Sequence, residues 1–227
     1  MEDKPSRWGL FRRRPCLVPT WRGCFLLGFI FVLFVILAVH RIHPFLAVNK
    51  PVPGGVLVIE GWAADYVLEA VIADFKQNHY EKVFVTGGPL ERGAPLSEYK
   101  TYADLGAASL IKLGLTTNDV QGVPAPLVRQ DRTYTSAVTL KKWLGEHGMS
   151  PAQLNLISVG PHARRSRFLF QKAFGRNVRV GIVAIPPSDY DERHWWRSSA
   201  GVRTVIGEAL AYGYVRVFFR PPKNPET

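Results

Sequence analysis

Apolar positions in this chain fall into two regimes. One unbroken run occupies residues 23–39, 17 residues without a charged or strongly polar side chain. Beyond residue 55, short apolar runs alternate with segments that are apolar at helical spacing. As a helix rising 1.5 Å per residue, the first run covers about 26 Å, near the lower limit for crossing a hydrocarbon core, and Trp21 can extend it as an interfacial anchor. A cleaved signal peptide has a shorter apolar region, roughly 7–15 residues, followed by a small-residue cleavage site. This run is longer and leads into His40, Arg41 and His43, which favours an uncleaved anchor, although Ala47 is a small residue such a site would use.

The second regime predicts an alternation of strands and helices. Residues 40–55 contain Pro44, Pro51, Pro53, Gly54 and Gly55 and read as a linker. Strand 56–59 is followed by helix 65–77, whose Val67, Ala70, Val71 and Phe75 share one face. Strand 83–86 ends in Gly87-Gly88, and helix 97–113 is closed by Gly114. Pro124 and Pro126 give the third strand, 121–128, an edge or bulged position. Helix 135–146, strand 154–158, helix 164–174 and strand 178–185 complete the pattern before a last aromatic-rich helix, 199–218, expected to pack on the sheet or lean toward the bilayer. Strands separated by helices imply a parallel sheet. The predicted fold class is therefore α/β, a Rossmann-like doubly wound, mainly parallel sheet behind one N-terminal transmembrane helix. The expected organisation is a tail (1–22), a membrane span (23–39), a linker (40–55), an α/β domain (56–219) and a C-terminal tail (220–227).

Charge gives this arrangement an orientation. The net +11 divides into +6 for residues 1–50 and +5 for residues 51–227. Lys4, Arg7, Arg12, Arg13, Arg14 and Arg22 precede the span, while only Arg41 and Lys50 follow it closely. The positive-inside rule then keeps the tail in the cytoplasm and places the domain outside it, in a single-pass protein of the inner (plasma) membrane. Topology and anionic headgroups account for the basic tail, and the mildly basic remainder suits an anionic small molecule or a membrane surface better than a nucleic acid. Cys16 and Cys24, the two cysteines, both lie in the tail or span, so the domain uses neither disulfides nor thiolate chemistry.

In a parallel α/β sheet the ligand sits outside the carboxyl ends of the strands. Those ends hold Glu60-Gly61-Trp62 and Asp65, then Gly87-Gly88, then Asp131, Arg132 and Thr133, then Gly160 to Arg165. Arg164 and Arg165 fall in the first turn of a helix, where cations cost about 0.3–1 kcal/mol each unless an anion is bound there. They are the candidate phosphate clamp, with solvation of both side chains as the alternative. His162 has the near-neutral acidity suited to proton transfer, or caps the helix. Glu60 ends an apolar strand and is a candidate general base or metal ligand; a salt bridge between one of the cleft acids and Arg132 or Arg165 competes with that role. Gly87-Gly88 lacks both the GxGxxG spacing and the P-loop lysine, and serves close backbone approach or a plain turn. Trp195 and Trp196 suit sugar stacking, a lipid interface or core packing. No zinc-ligand spacing and no GxSxG elbow occurs, and the sequence leaves the identity of any cofactor open.

Gly-Gly after the second strand, Thr-Tyr-x-x-Ala at 133–137 and His-x-x-Arg-Ser at 162–166 together resemble the bacterial SanA, ElyC and YdcF family, over residues 56–185 and as far as 219. This resemblance implies a Rossmann-like domain behind one membrane anchor and a part in cell-envelope integrity and polysaccharide or peptidoglycan precursor metabolism. The chain departs from the family pattern at Glu60, where an apolar residue is usual, and at Thr135 and Ser136, where Glu and Asn are frequent. A cytoplasmic member binds S-adenosylmethionine, a ligand the exported location argues against. The resulting expectation is a domain that binds, and hydrolyses or transfers, a phosphorylated glycan- or lipid-linked envelope precursor. His162 and Glu60 would be catalytic; Gly87, Gly88, Asp131, Arg132, Thr133, Arg164 and Arg165 would bind the ligand. The competing expectation is a non-catalytic partner of an envelope biosynthetic complex.

Overall fold

The computed structural model describes residues 19–91 and 93–221. Its elements run α1 (Trp21–Leu46), β1 (Val56–Glu60), α2 (Asp65–Gln77), β2 (Val83–Gly87), α3 (Tyr102–Lys112), β3 (Val120–Pro124), α4 (Arg132–Glu146), β4 (Gln153–Val159), α5 (His162–Phe174), β5 (Arg179–Ile185), a 3₁₀ segment Glu192–Arg197 and α6 (Ser199–Val217). The fold is α/β, with five strands, all parallel, in the order β3-β2-β1-β4-β5. The proline-bearing β3 is an edge strand, the position where a missing N–H costs least.

The described residues fall into two compact units that divide between Val39 and His40. In the first, α1 is long and apolar enough to cross a membrane, and none of its most apolar window is buried. The second takes in the last two turns of α1, from His40 to Leu46. His43 and Leu46 are buried there, and His43 Nε2 lies 3.2 Å from the Tyr190 hydroxyl. Residues 40–55 are therefore built into the domain and do not form a free linker. Lys50 bridges antiparallel to Ile182, covering part of the β5 edge. Buried Asn155 accepts from the Val52 N–H at 2.8 Å and donates to its carbonyl at 2.6 Å. A Cβ on Gly181 would stand 2.1 Å from the Asn155 Oδ1, so glycine is required for that clamp.

Strand alternation divides the core in two. Val56 and Val58 of β1 join Phe84, Leu154, Leu156, Val180 and Ile182 in a cluster with residues of α4 and α5 and Val215 of α6. Leu57 and Ile59 join Val83, Val85 and Ile157 in a cluster with residues of α2 and α3. Side chains in a strand alternate between faces, so Glu60 shares the face of Val56 and Val58. It emerges at the carboxyl end of the sheet beneath α4 and α5.

Three helix starts differ from the predicted boundaries and bear on the site; α4 starts at Arg132 instead of residue 135, which places Arg132 and Thr133 in its first turn. Helix α3 starts at Tyr102 instead of residue 97, because the Thr101 hydroxyl accepts from the Asp104 N–H at 3.1 Å and caps the helix there. Helix α5 starts at His162 instead of residue 164, which makes His162 its first helical residue.

Candidate functional site

Sheet order locates the site before any side chain is considered. From β1 the chain moves outward to β2 and β3, then returns to place β4 on the other side of β1. The loops after β1 and β4 leave in opposite directions, and such a switch point opens a crevice at the carboxyl ends of the strands. A cleft of about 960 Å³ occupies that end. Glu60 and Trp62 line it from β1, Thr86 to Pro89 from β2, Ala125 to Arg129 from β3, Asp131 to Thr133 from α4, His162 and Arg165 from α5, and Leu210, Tyr214 and Val215 from α6.

Its floor is a network of four ionisable side chains. Imidazole Nε2–H of His162 donates to Glu60 Oε2 at 3.1 Å, and Nδ1–H donates to Glu208 Oε1 at 2.9 Å. Arg165 holds Glu208 through two nitrogens, Nε to Oε2 at 2.8 Å and Nη2 to Oε1 at 2.9 Å. The Thr133 hydroxyl donates to Glu60 Oε1 at 3.0 Å. Arg165 Nη2 also lies 3.0 Å from His162 Nδ1, but both carry protons, so the two donors converge on one Glu208 oxygen and do not bond each other. The edge of Trp62 meets the imidazole, with ring centroids 5.4 Å apart.

These contacts fix the charge states. Burial alone would lower the pKa of His162, but its hydrogen bonds to Glu208 and Glu60 and their negative charges outweigh it, and the pKa is pushed up to about 9. Burial would raise Glu208, yet Arg165 and His162 hold it down at about 2. Burial opposes ionisation of Glu60 as well, and His162, Thr133 and Arg165 still keep it below the ordinary carboxylate range. The result is two cations and two anions, neutral as a group, with both imidazole N–H groups engaged.

Of the residues expected at a site, Glu60, Gly87, Gly88, Asp131, Arg132, Thr133, His162 and Arg165 all line this one cleft. Arg164 does not. Its guanidinium lies 4.0 Å from the centroid of the Phe45 ring, and its Nε donates to the Phe45 carbonyl. Successive residues on a helix point about 100° apart, so one arginine of the pair enters the cleft while the other faces the end of α1. The anion anticipated at the N-terminus of α5 is supplied by the protein itself, as Glu60 and Glu208. A bound phosphate is not needed to offset Arg165.

Gly87 answers a steric demand and not a positive φ. A Cβ there would stand 2.7 Å from the Tyr102 Cβ, and one on Gly61 would stand 2.1 Å from the Tyr102 carbonyl oxygen. The start of α3 thus sits directly on the ends of β1 and β2. Asp131 carries the positive φ instead, +55°, unique among the described non-glycine residues, and its side chain caps no N–H of α4. Arg132, exposed, pairs with Glu91 at the rim. Trp195 is buried and Trp196 packs on His40, with centroids 4.8 Å apart, so neither lines the cleft.

Sequence reasoning missed Glu208, the residue that joins both cations. The available signal was its isolation: it is the sole acid in the 19 residues of α6. Arg129 and Ser136 of the lining, and Ser166, whose hydroxyl approaches Glu60 Oε2 at 3.5 Å, were also passed over. Among the described residues, no group of three or more His, Cys, Asp or Glu is arranged to hold a metal ion. No protein-family model, curated protein or solved structure matches the chain.

Proposed function

We propose that this chain is a single-pass inner-membrane protein with an extracytoplasmic, Rossmann-like doubly wound domain of the SanA, ElyC and YdcF type. In this reading its cleft binds a phosphorylated, glycan- or lipid-linked envelope precursor and hydrolyses or transfers it. The orientation rests on the six cations before the span against Arg41 and Lys50 after it.

One observation carries the ligand class: the cleft has three walls of different chemistry. Its floor is the charge-neutral network around His162. One flank offers two guanidinium groups, Arg129 and Arg132, with the carboxylates of Glu91 and Asp131 beside them, at the start of α4, a helix N-terminus without a side-chain cap. The opposite requirement, apolar contact, is met by Leu127, Leu210, Tyr214 and Val215. A phosphate belongs against the guanidinium groups of Arg129 and Arg132, where it would displace Glu91, and these replace the Arg164 and Arg165 clamp expected from the sequence; an apolar or sugar portion belongs against the aromatic and aliphatic wall. His162, held cationic by Glu60 and Glu208, is the proton donor for a leaving oxygen.

A second reading has its own support. Both N–H groups of His162 are spent on carboxylates, so the network also serves as a brace joining β1, α5 and α6 in a non-catalytic partner of an envelope biosynthetic complex. Thermal unfolding of the purified full chain separates the two. Phosphate esters, nucleotide sugars and polyprenyl-phosphate analogues are the probes, and a ligand at about 100 times its Kd adds about 2.7 kcal/mol. Stabilisation by a phosphorylated probe that weakens in Arg132→Ala supports the binding function. Indifference to every phosphorylated probe leaves the brace.

A further inference from the structure

Helix α6 carries an uncovered apolar face. Val202, Ile206, Leu210, Tyr214, Val217 and Phe218 recur at helical spacing, and each is at least 41% exposed. The opposite face, with Gly201, Val205 and Val215 buried, packs on the domain. A helix apolar on both sides is ordinarily enclosed, and a contiguous exposed apolar stripe marks a contact surface.

Charge and connectivity identify what covers it. The sole acid of α6, Glu208, turns inward to His162 and Arg165. Its remaining charges, Arg203 and Arg216, are exposed and cationic, as is Arg220 just beyond its end. Two copies pairing through this stripe would bring those arginines together without a compensating acid on the helix. The apolar run of α1 ends at Val39, and Phe45, in the same helix, packs against Tyr212 of α6 with ring centroids 5.9 Å apart. Only six residues of chain separate Val39 from Phe45, so whatever their conformation part of α6 is tethered within about 20 Å of the point where the apolar run stops.

We infer that the exposed face of α6 rests on the surface of an anionic bilayer. Its aliphatic and aromatic side chains enter the boundary between headgroups and acyl chains, and its arginines reach headgroup phosphates, as in an interfacial helix. Leu210 and Tyr214 belong to both the stripe and the cleft wall, so the cleft then opens at the headgroup layer. The inference stands whether or not the cleft binds a phosphorylated ligand.

The test uses the full chain with Cys16 and Cys24 replaced by serine, at a single copy per lipid nanodisc. A polarity-sensitive fluorophore is attached at Ile206→Cys, at Val217→Cys, or at the control Glu146→Cys on the exposed face of α4, with folding of each checked by circular dichroism. In phosphatidylglycerol-rich discs, the labels at 206 and 217 are expected to be quenched several-fold more by lipid-borne nitroxide than the label at 146, and to be shielded from aqueous acrylamide. Quenching at 206 and 217 no greater than at 146 overturns the inference. Equal quenching in purely zwitterionic discs overturns the part assigned to the arginines. Protection that requires two copies in one disc transfers the stripe to self-association. Either labelled position suffices, so failure of one variant to fold leaves the other to decide.

Discussion

The floor and the rim of the cleft each contain an arginine–glutamate pair, and the two pairs differ in almost everything except their chemistry. On the floor, the side chains of Arg165 and Glu208 are 21% and 17% exposed, and Glu208 Oε1 accepts from both His162 and Arg165 while Oε2 accepts from Arg165 alone. At the rim, those of Arg132 and Glu91 are 69% and 61% exposed. Water solvates the rim pair whether or not it forms, so its net worth is about 0–1 kcal/mol. The floor pair has given up most of its water, so each member depends on the other. Burial, not residue identity, decides which pair is structural and which is free to exchange its partner for a ligand.

The comparison breaks most sharply at Glu208. Removing one partner of a buried ion pair costs about 3–5 kcal/mol, and the residual access of Arg165 to water puts Glu208→Ala near the lower figure, about 3 kcal/mol. Urea unfolding of the full chain measures this, and a loss under about 1 kcal/mol would show that the floor is as well solvated as the rim. Titration sharpens the same contrast. The raised His162 stabilises the fold fully below its ordinary value of 6.5 and ceases to do so as pH climbs through about 9. The depressed Glu208 stabilises above its ordinary 4.5 and loses that effect as pH falls toward about 2. Both contributions are therefore complete between about pH 4.5 and 6.5, and the stability of the wild type should decline on the alkaline side well before its lysines titrate. His162→Gln should flatten that decline between pH 6.5 and 9; an unchanged slope would assign it to other groups.

Much of this was legible in the chain because hydrophobic periodicity reports on faces. Val56 to Ile59, buried on both sides, and the helical spacing of Val67, Ala70 and Val71 made the parallel α/β sheet readable, and the two prolines near residue 125 placed β3 at an edge. Strand ends are named by the same pattern, so most of the cleft was named with them. What sequence distance hides is which side chains meet. Glu208 lies 46 residues from His162, on a helix whose spacing is apolar, and nothing local specifies that partnership. Arg164 and Arg165 look equivalent in a string of letters, and only the helical turn between them sends one to Glu208 and the other to Phe45. The region 40–55 misleads for a related reason: prolines and glycines there mark bends, and a bend is compatible with being tied down through Asn155 and Ile182.

Arg164 supplies an intermediate case. Its guanidinium over Phe45 is a half-exposed cation–π contact, with Tyr212 beyond it at 5.9 Å. Arg164→Ala should cost about 1 kcal/mol from this contact and the packing of the side-chain stem. Ligand binding in the cleft should not change, because Arg164 does not line it. Loss of phosphorylated-probe binding in a stably folded Arg164→Ala protein, read by thermal shift, would return this residue to the clamp that its position beside Arg165 first suggests.

Arg132 should show the smallest effect on the fold and the most informative one on binding. The side chain is exposed, its partner Glu91 is exposed, and it sits in the first turn of α4, where a cation slightly opposes the helix dipole. Those terms nearly cancel, so Arg132→Ala should move stability by under about 0.5 kcal/mol in urea unfolding. A bound phosphate changes the sum, because the guanidinium can leave Glu91 for a dianion that also meets the N–H groups at the start of α4. Losing such a charge-assisted hydrogen bond weakens binding by about 1.5–3 kcal/mol. Glu91→Ala should act in the opposite direction, releasing Arg132 from its competitor and tightening the same ligand modestly. If both variants bind phosphorylated probes as the wild type does while the fold is unchanged, the rim holds no phosphate, and the cleft's anionic ligand loses the arginine on which it was assigned.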